Sequence, residues 1–400
     1  MALFSWLWRR TGTHHGQRLD RPLFRTANGR PVGRYRPNVE ALEDRWLPST
    51  FTVLNTADSG PGSLRAAITA ASSGDTINFA AALSHKTITL TSGQLVINKN
   101  LDIEGLGANR LTVSGNSSSR VFDISNGATV TLAGLTIANG ATVGGLGGGG
   151  ILNEAGAHLT LSRDVLTSNT ATAASNTVDV FGGGFLNEGT ATVVSCTFSG
   201  NQALGGGGGS FFGGSVGGAI DNFGGASLTV TDSTFLNNQA LGSGAGNFGI
   251  GGAIENNAGL DLSSPSTATI TSCVFIGNFA GGGAGVAGNG GALDNEGPGA
   301  TMTVSSCLLL GNRSGSSAGA FGVGGGLMNF AGSTCTVLNS ALIGNVAAGG
   351  VGQTQNGGGI ENQAATMTIS GSTLTGNLSI GGAGADGVTL LGEGLGGGIM

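Results

Sequence analysis

The segment from Gly217 to Asn238 reads GGAIDNFGGASLTVTDSTFLNN and recurs seven times with its landmarks in the same order. Each copy has a glycine pair, an apolar residue and a first Asn. A Thr-rich run follows, and then a Phe or Leu three residues before a second Asn. The first Asn lies at positions 153, 187, 222, 256, 295, 329 and 362, and the second at 169, 201, 238, 278, 312, 345 and 377. A fixed period of this size is the signature of a repeat architecture.

The Thr-rich run alternates between apolar and hydroxyl side chains, and six of the seven copies place Thr between the two apolar residues. Strict alternation with β-branched residues predicts a half-buried strand whose aliphatic side chains face inward. Each copy is therefore expected to hold three short strands, at the glycine motif, at the Thr run and before the second Asn. Such a copy forms either one coil or two thin coils of a solenoid.

Helical and disordered repeats compete with this interpretation. No 3.6-residue periodicity survives the glycines, each of which costs a helix interior about 1 kcal/mol. Glycine makes up 80 of 400 residues, a share that on its own is typical of low complexity. The stacked apolar columns favour ordered strands and an all-β parallel solenoid.

The position three residues before the second Asn is apolar in every copy. It holds Leu166, Phe198, Phe235, Phe275, Leu309, Leu342 and Leu374. Like residues stack on like residues when successive coils lie about 4.8 Å apart. Phe198, Phe235 and Phe275 are therefore expected to be structural residues of the interior.

The Asn positions are expected to be structural as well. The second Asn, the position of Asn238 and Asn278, follows Gly in most copies, as in Gly277-Asn278, and Gly and Asn both tolerate a left-handed backbone. This pair predicts a tight corner. The first Asn, as at Asn222 and Asn256, is assigned to the strand of the glycine motif.

Four segments can be distinguished along the chain. Residues 1–50 hold nine of the sixteen basic residues and no periodicity, which indicates a disordered or targeting segment. Residues 51–85 predict a cap, in which Ser63 begins a short helix that covers the open first coil. Residues 86–146 predict irregular coils. Residues 147–400 hold the glycine-rich repeats and end within a copy, so a C-terminal part is expected to be missing.

Three phrases resemble exported bacterial proteins. Arg36–Ser49, RPNVEALEDRWLPS, resembles the LEDR-type motif near the start of many large bacterial surface and exported proteins. Asp58–Phe79, DSGPGSLRAAITAASSGDTINF, resembles the start of bacterial right-handed parallel β-helix surface proteins. The GGAI and FxxN motifs, as at Gly217–Ile220 and Phe235–Asn238, resemble those of polymorphic outer-membrane, autotransported adhesin-like proteins, although the last three copies carry Leu for Phe.

These resemblances imply a right-handed parallel β-helix of the pectin-lyase-like type with a short N-terminal capping helix. They also imply an exported protein, extracellular or at the cell surface, with a structural or adhesive role. The partner would be a surface glycan or a protein.

Acidic residues precede the first Asn in three consecutive copies, at Asp221, Glu255 and Asp294. If Ile220 and its equivalents point inward, these carboxylates form an outward row in which like charges repel. The row is either splayed and solvated or stabilised by a bound cation such as Ca²⁺. A further calcium candidate is Asp386, within a single match to the calcium-binding nonapeptide pattern, GGAGADGVT.

Composition limits the partners. The net charge is −6, and residues 51–400 carry seven basic and eighteen acidic side chains, which argues against nucleic acid. No apolar run is long enough for a transmembrane helix. Four cysteines form no disulfide framework, although Cys273 and Cys307 share a column and predict either small buried residues or a bonded pair.

A carbohydrate-active enzyme of the same fold, a polysaccharide lyase or hydrolase, is the alternative function. Such enzymes need carboxylates clustered together or with Lys or Arg. The basic residues of the repeats are Arg163 and Arg313, several copies apart, and no nucleophile motif is present. No catalytic residue is predicted. Doubled Thr columns, as at Thr267 and Thr269, leave an ice-binding surface as a third alternative.

Overall fold

The computed structural model describes residues 48–144, 147–174, 179–206, 214–243, 246–259, 264–315, 321–350, 355–381 and 394–400. In these residues the chain winds into a parallel β-helix whose strands form five sheets. Successive coils pair in parallel, as Ile220 does with Ile254 and Leu228 with Ala268. The predicted all-β parallel β-helix with a short N-terminal helix is confirmed.

Sheets are numbered here in the order in which one coil passes through them. The strands of sheet 1 are Leu95–Ile97, Phe122–Ile124, Ile151–Asn153, Phe185–Asn187, Ile220–Phe223, Ile254–Asn257, Leu293–Glu296, Leu327–Phe330 and Ile360–Gln363. The strands of sheet 2 are Thr50–Val53, Asp75–Phe79, Leu101–Glu104, Thr129–Ala133, His158–Ser162, Thr190–Val194, Ser227–Thr231, Thr267–Thr271, Thr301–Ser305, Thr334–Leu338 and Thr366–Ser370. The strands of sheet 3 are Lys86–Thr89, Leu111–Ser114, Thr136–Ala138, Val165–Thr167, Thr197–Ser199, Thr234–Leu236, Val274–Ile276, Leu308–Leu310, Ala341–Ile343 and Thr373–Thr375.

Two further sheets follow the second Asn. The strands of sheet 4 are Ala141–Val143, Thr170–Thr172, Gln202–Leu204, Gln239–Leu241, Phe279–Gly281, Arg313–Gly315, Val346–Ala348 and Leu378–Ile380. The strands of sheet 5 are Val180–Phe181, Ser215–Val216, Gly249–Ile250, Gly288–Asn289, Gly322–Val323, Gln355–Asn356 and Gly394–Leu395. Three strands per copy was therefore wrong: the described part of the coil from Ile220 to Ile250 holds five.

Each copy makes one coil, because the same landmark of successive copies is paired directly, as Asn187 is with Asn222. The interior columns are apolar and closed to solvent. Phe198, Phe235 and Phe275 are each 0 % exposed. Their ring centroids are 4.9 and 4.7 Å apart and each ring pair is tilted by only 9°. The rings thus stack at the spacing of the strands that carry them.

Both Asn positions form buried amide ladders. In the first, Asn222 Nδ2 donates to Asn256 Oδ1 at 2.7 Å, and Asn256 Nδ2 donates to Asn295 Oδ1 at 2.7 Å. In the second, Asn238 Nδ2 donates to Asn278 Oδ1 at 3.0 Å. An amide has both donors and acceptors, so each residue satisfies the next along the coil axis.

The corner before the second Asn is left-handed. Asn237 has φ 52° and Gly277 has φ 63°, and Gly holds the equivalent position in most of the other copies. Gly and Asn enter this region at the lowest steric cost. The backbone N–H of Asn238 then donates to Asn278 Oδ1 at 3.0 Å, which ties the corner to the ladder.

The N-terminal helix runs from Leu64 to Ala70 and shares the apolar core of the coils through Leu64, Ala67 and Ile68. Ser63 caps it, since its hydroxyl accepts from the Ala66 N–H at 3.1 Å. A short 3₁₀ turn follows at Ala81–Leu83. Among the described residues no helix is long and apolar enough to cross a membrane.

Sheet 5 covers the outer face of sheet 1. In the earlier copies the sheet 1 side chains Leu152 and Leu186 pack against Phe181 and Val216 of sheet 5. In the later copies Met328 packs with Val323 in the same way. From Leu152 to Met328, the column of sheet 1 side chains that points away from the central core therefore lies in a second buried layer.

Candidate functional site

Asp221, Glu255 and Asp294 lie in register on neighbouring strands of sheet 1. They point away from the core that holds Ile220, as the parity predicts. They are not solvated, because sheet 5 covers them and they are 0 %, 1 % and 0 % exposed. The expectation of a splayed, solvated row is therefore wrong.

Three carboxylates converge within this layer, and we name Glu255, Asp294 and Glu296 the acidic cluster. Each offers one oxygen, and the three oxygens all lie within 4.8 Å of one another. Glu296 is half-buried, and Asp221 is not part of the group. Sequence reasoning missed Glu296, although period-2 parity places residues 294 and 296 on the same face of one strand.

The carboxylates of this row lack protein partners. Both carboxylate oxygens of Asp294, both of Asp221 and Oε2 of Glu255 are buried and accept no hydrogen bond from the protein. The amide oxygen of Asn289, in sheet 5, is buried without a partner too. Leaving a buried polar group unpaired costs about 1–3 kcal/mol, and more when the group is charged.

Burial and repulsion between neighbouring carboxylates both disfavour the charged form of these groups. Burial raises the pKa of Asp221, Glu255 and Asp294 well above the ordinary carboxyl range, and neighbouring carboxylates raise it further. Burial raises the pKa of Glu296 to about 7. The ion pairs among the described residues are Arg65 with Asp58 and Arg120 with Asp123, both in the first coils.

A cavity of about 300 Å³ lies between sheets 1 and 5 beside the acidic cluster. Asn289 and Glu296 supply polar groups to its wall, and Phe321, Met328 and Phe330 supply apolar ones. The arrangement is a set of oxygen donors enclosed by apolar side chains. Oxygen donors of this kind are the ligands of hard cations.

The other predicted calcium ligand, Asp386, lies outside the described residues. The cysteines among the described residues are free, so the bonded alternative for Cys273 and Cys307 is not formed. Both are buried, and the Cys273 N–H donates to the Cys307 sulfur at 3.4 Å. This column serves packing and corner hydrogen bonds.

A second candidate site is a groove of about 790 Å³ on the outer face of sheet 4. Leu204, Leu241 and Gly281 share one column and form its floor. Phe279 and Arg313 share the neighbouring column and form a wall. Because Gly281 has no side chain, the Phe279 ring and the Leu241 side chain can lie over its backbone, 2.8–3.1 Å from where a Cβ would stand.

The groove wall combines an aromatic ring with a cation, and two amide side chains lie beside it in the same column. The Arg313 guanidinium carbon lies 5.7 Å from the centroid of the Phe279 ring, within the range of a cation–π contact. Arg313 is exposed and Phe279 is half-buried. Gln239 and Gln202 continue the same column, and Gln202 Nε2 donates to Gln239 Oε1 at 3.1 Å. These groups offer donors and acceptors beside an apolar face.

Comparisons with known proteins show no family. No family model and no curated protein matches the chain. No match therefore supports the resemblance to autotransported adhesins or the LEDR-type motif.

Similar solved structures include tailspike protein 3 of bacteriophage CBA120, with 14% identity and TM-score 0.35, covering 78% of this chain and 49% of that one. A mannuronic acid specific polysaccharide family 6 lyase from human gut microbiota has 10% identity and TM-score 0.32, covering 80% and 83%. The A-module of an Azotobacter vinelandii mannuronan C-5 epimerase has 13% identity and TM-score 0.26, covering 81% and 98%. The chain spans about half the length of the tailspike that it matches.

Proposed function

We propose that this chain is a glycan-binding β-solenoid with a structural or adhesive role, and that the glycan lies along the sheet 4 groove. The observation that carries the proposal is the exposed Arg313 guanidinium beside the Phe279 ring above an apolar and glycine floor. The location, extracellular or at the cell surface, is proposed from the export-like phrase at Arg36–Ser49.

The chemistry of the groove suits a sugar chain. A sugar ring has apolar faces and hydroxyl edges, so it needs an aromatic surface and polar groups side by side. Phe279 supplies the surface, and Gln202, Gln239 and Arg313 supply the polar groups. The side chains of the column follow one another at the strand spacing of about 4.8 Å, so that successive units of a polymer can meet successive coils.

Arg313 favours an acidic sugar. Its guanidinium can donate two parallel hydrogen bonds to a carboxylate, which a neutral hydroxyl cannot match. It is also the one basic residue that the sequence places after Arg163. We therefore expect oligosaccharides of uronic acids to bind more tightly than neutral ones.

The same geometry favours binding over cleavage. Glycoside cleavage uses carboxylates that flank the scissile bond. The described residues that line the groove include no carboxylate, and the acidic cluster is buried under sheet 5. The side chains that line the groove therefore suit glycan binding rather than glycan cleavage.

The test is a binding titration of the full chain with uronic-acid and neutral oligosaccharides. Phe279→Ala and Arg313→Ala should each weaken uronate binding about 10-fold, corresponding to about 1.4 kcal/mol. Phe279→Tyr keeps the ring and should retain binding. Arg163→Ala removes an exposed arginine elsewhere and should change nothing. Equal affinities of all four variants and the parent would contradict the proposal, as would the absence of binding to any oligosaccharide.

A further inference from the structure

We propose that the acidic cluster under sheet 5 is a calcium site, in which Glu255, Asp294 and Glu296 supply carboxylate oxygens and Asn289 supplies an amide oxygen. The site does not depend on the sheet 4 groove or on the proposed glycan. Its ligands differ from the row predicted from the sequence. Glu296 and Asn289 are added, and Asp221 is not a direct ligand.

The spacing of the oxygens fits one ion. Calcium holds its oxygen ligands at about 2.3–2.6 Å, so two ligands of one ion are at most about 5 Å apart. The three carboxylate oxygens lie within 4.8 Å of one another, inside that limit. Two buried carboxylates and a half-buried one gathered this closely repel one another unless a cation or protons lie between them.

The side chain of Asn289 gives independent evidence that an ion binds here. It belongs to sheet 5, in register with Ile250 and Val323, whose side chains pack toward sheet 1. Its side chain lines the same cavity as Glu296, and the residue is only 9 % exposed. Its amide oxygen is buried and accepts no hydrogen bond. A neutral carbonyl oxygen that shares a cavity with Glu296 is a ligand type that calcium uses.

The flanking coils limit the site to one ion. On one side Met328 occupies the same column and closes it with an apolar side chain, 2 % exposed. On the other side Asp221 is paired with Glu255 along the column but lies outside the acidic cluster. Asp221 therefore adds negative potential without binding the ion. Glu361, beyond Met328, is a buried carboxylate of the same column with no place in the site.

The experiment uses the full chain after removal of metals with a chelator, at neutral pH. Equilibrium dialysis with radioactive calcium should show one ion per chain, and calcium in about 100-fold excess over its dissociation constant should raise the melting temperature by about 3 °C. Asp294→Asn and Glu296→Gln should each weaken calcium binding at least 10-fold. Without calcium, both variants should melt at or above the temperature of the parent, because they remove a repelling buried charge.

Glu361→Gln is the matched control, since it removes a buried carboxylate of the same column and should leave the calcium response unchanged. An unchanged response in Asp294→Asn and Glu296→Gln, or no calcium binding by the parent, overturns the site. Oligosaccharide binding is measured on the same samples. It should be unaffected by these substitutions, so the failure of one proposal leaves the other standing.

Discussion

Two columns of sheet 1 lie one residue apart and differ in how they satisfy their polar groups. Asn222, Asn256 and their equivalents form a ladder in which every amide donates to the next. Asp221, Glu255 and Asp294 stack at the same spacing on the opposite face, yet most of their buried oxygens accept nothing from the protein.

The chemistry of the side chains explains this difference. An amide carries donors and acceptors and can repeat along a coil axis, whereas a carboxylate carries acceptors only. A column of carboxylates therefore needs protons or a cation between its members. The amide ladder stabilises the coils by itself, while the acidic column is stable only with protons or a cation between its carboxylates.

The largest expected effect comes from placing a carboxylate in the column of stacked Phe rings. Phe235→Asp removes a fully buried ring between Phe198 and Phe275 and buries a charge that no cation can reach. We expect the free energy of unfolding to fall by at least about 4 kcal/mol and the neighbouring coils to unfold. Circular dichroism and a thermal melt measure this loss. Thr229→Asp, on the exposed face of the same coil, should change stability by about 0.5 kcal/mol or less.

A second substitution places a carboxylate in the first amide ladder. Asn256→Asp removes the amide donor to Asn295 and brings two acceptors together in the first ladder. We expect a loss of about 3 kcal/mol at neutral pH, because a buried charge and an acceptor are left unpaired. The loss should shrink in acid as the new carboxyl becomes protonated, which denaturant melts at several pH values can follow. Asn237→Asp, at an exposed corner, should show neither effect; equal losses in both variants would refute the role of the ladder.

The acidic column itself should make stability depend on pH. In metal-free protein the folded pKa of Glu255 and Asp294 is raised by burial, and that of Glu296 is raised to about 7. Unfolded carboxyls ionise near pH 4, so these groups favour unfolding progressively as pH rises from about 4 to 7 and beyond. The free energy of unfolding should fall over that range. Asp294→Asn should flatten the fall, and a profile identical to that of the parent would contradict the assignment.

The smallest effect is expected at the corner between sheets 3 and 4, beside the second amide ladder. Asn237 has a left-handed backbone, and Gly occupies the equivalent position at Gly277. Asn237→Gly should therefore change stability by about 0.5 kcal/mol or less, since Asn already tolerates this conformation. A thermal melt suffices to check it. A large loss would show that the corner side chain, rather than the ladder beside it, supports the fold.

Most of the fold follows from the sequence because the strands of sheets 1 to 3 carry alternating residues and fixed landmarks. The Thr runs, the Phe column and the two Asn positions predict the register of the coils, and the short N-terminal helix follows from Ser63 and the apolar face after it. Sheet 5 gave no such signal. Its strands are two residues long and include Gly288 and Gly322, so neither alternation nor propensity marks them.

Because sheet 5 was not predicted, the acidic row was expected to face solvent. Without sheet 5 the parity of Asp221 and Glu255 implies solvent, and with it the same parity implies burial. Glu296 could have been found, since it follows Asp294 by two residues in one strand. Asn289 could not, because its position depends on a chain segment that returns over sheet 1. In the groove, Arg313 stood out only as an isolated basic residue, and its contact with Phe279 depends on sheet 4.

The most direct test of the contrast between the columns is a crystal of the full chain grown with calcium, measured for anomalous scattering. We expect one anomalous peak between sheets 1 and 5, with oxygens of Glu255, Asp294, Glu296 and Asn289 at about 2.3–2.6 Å. No peak, with the carboxyl groups instead hydrogen-bonded to one another, would show that protons alone stabilise the column and would contradict the calcium site.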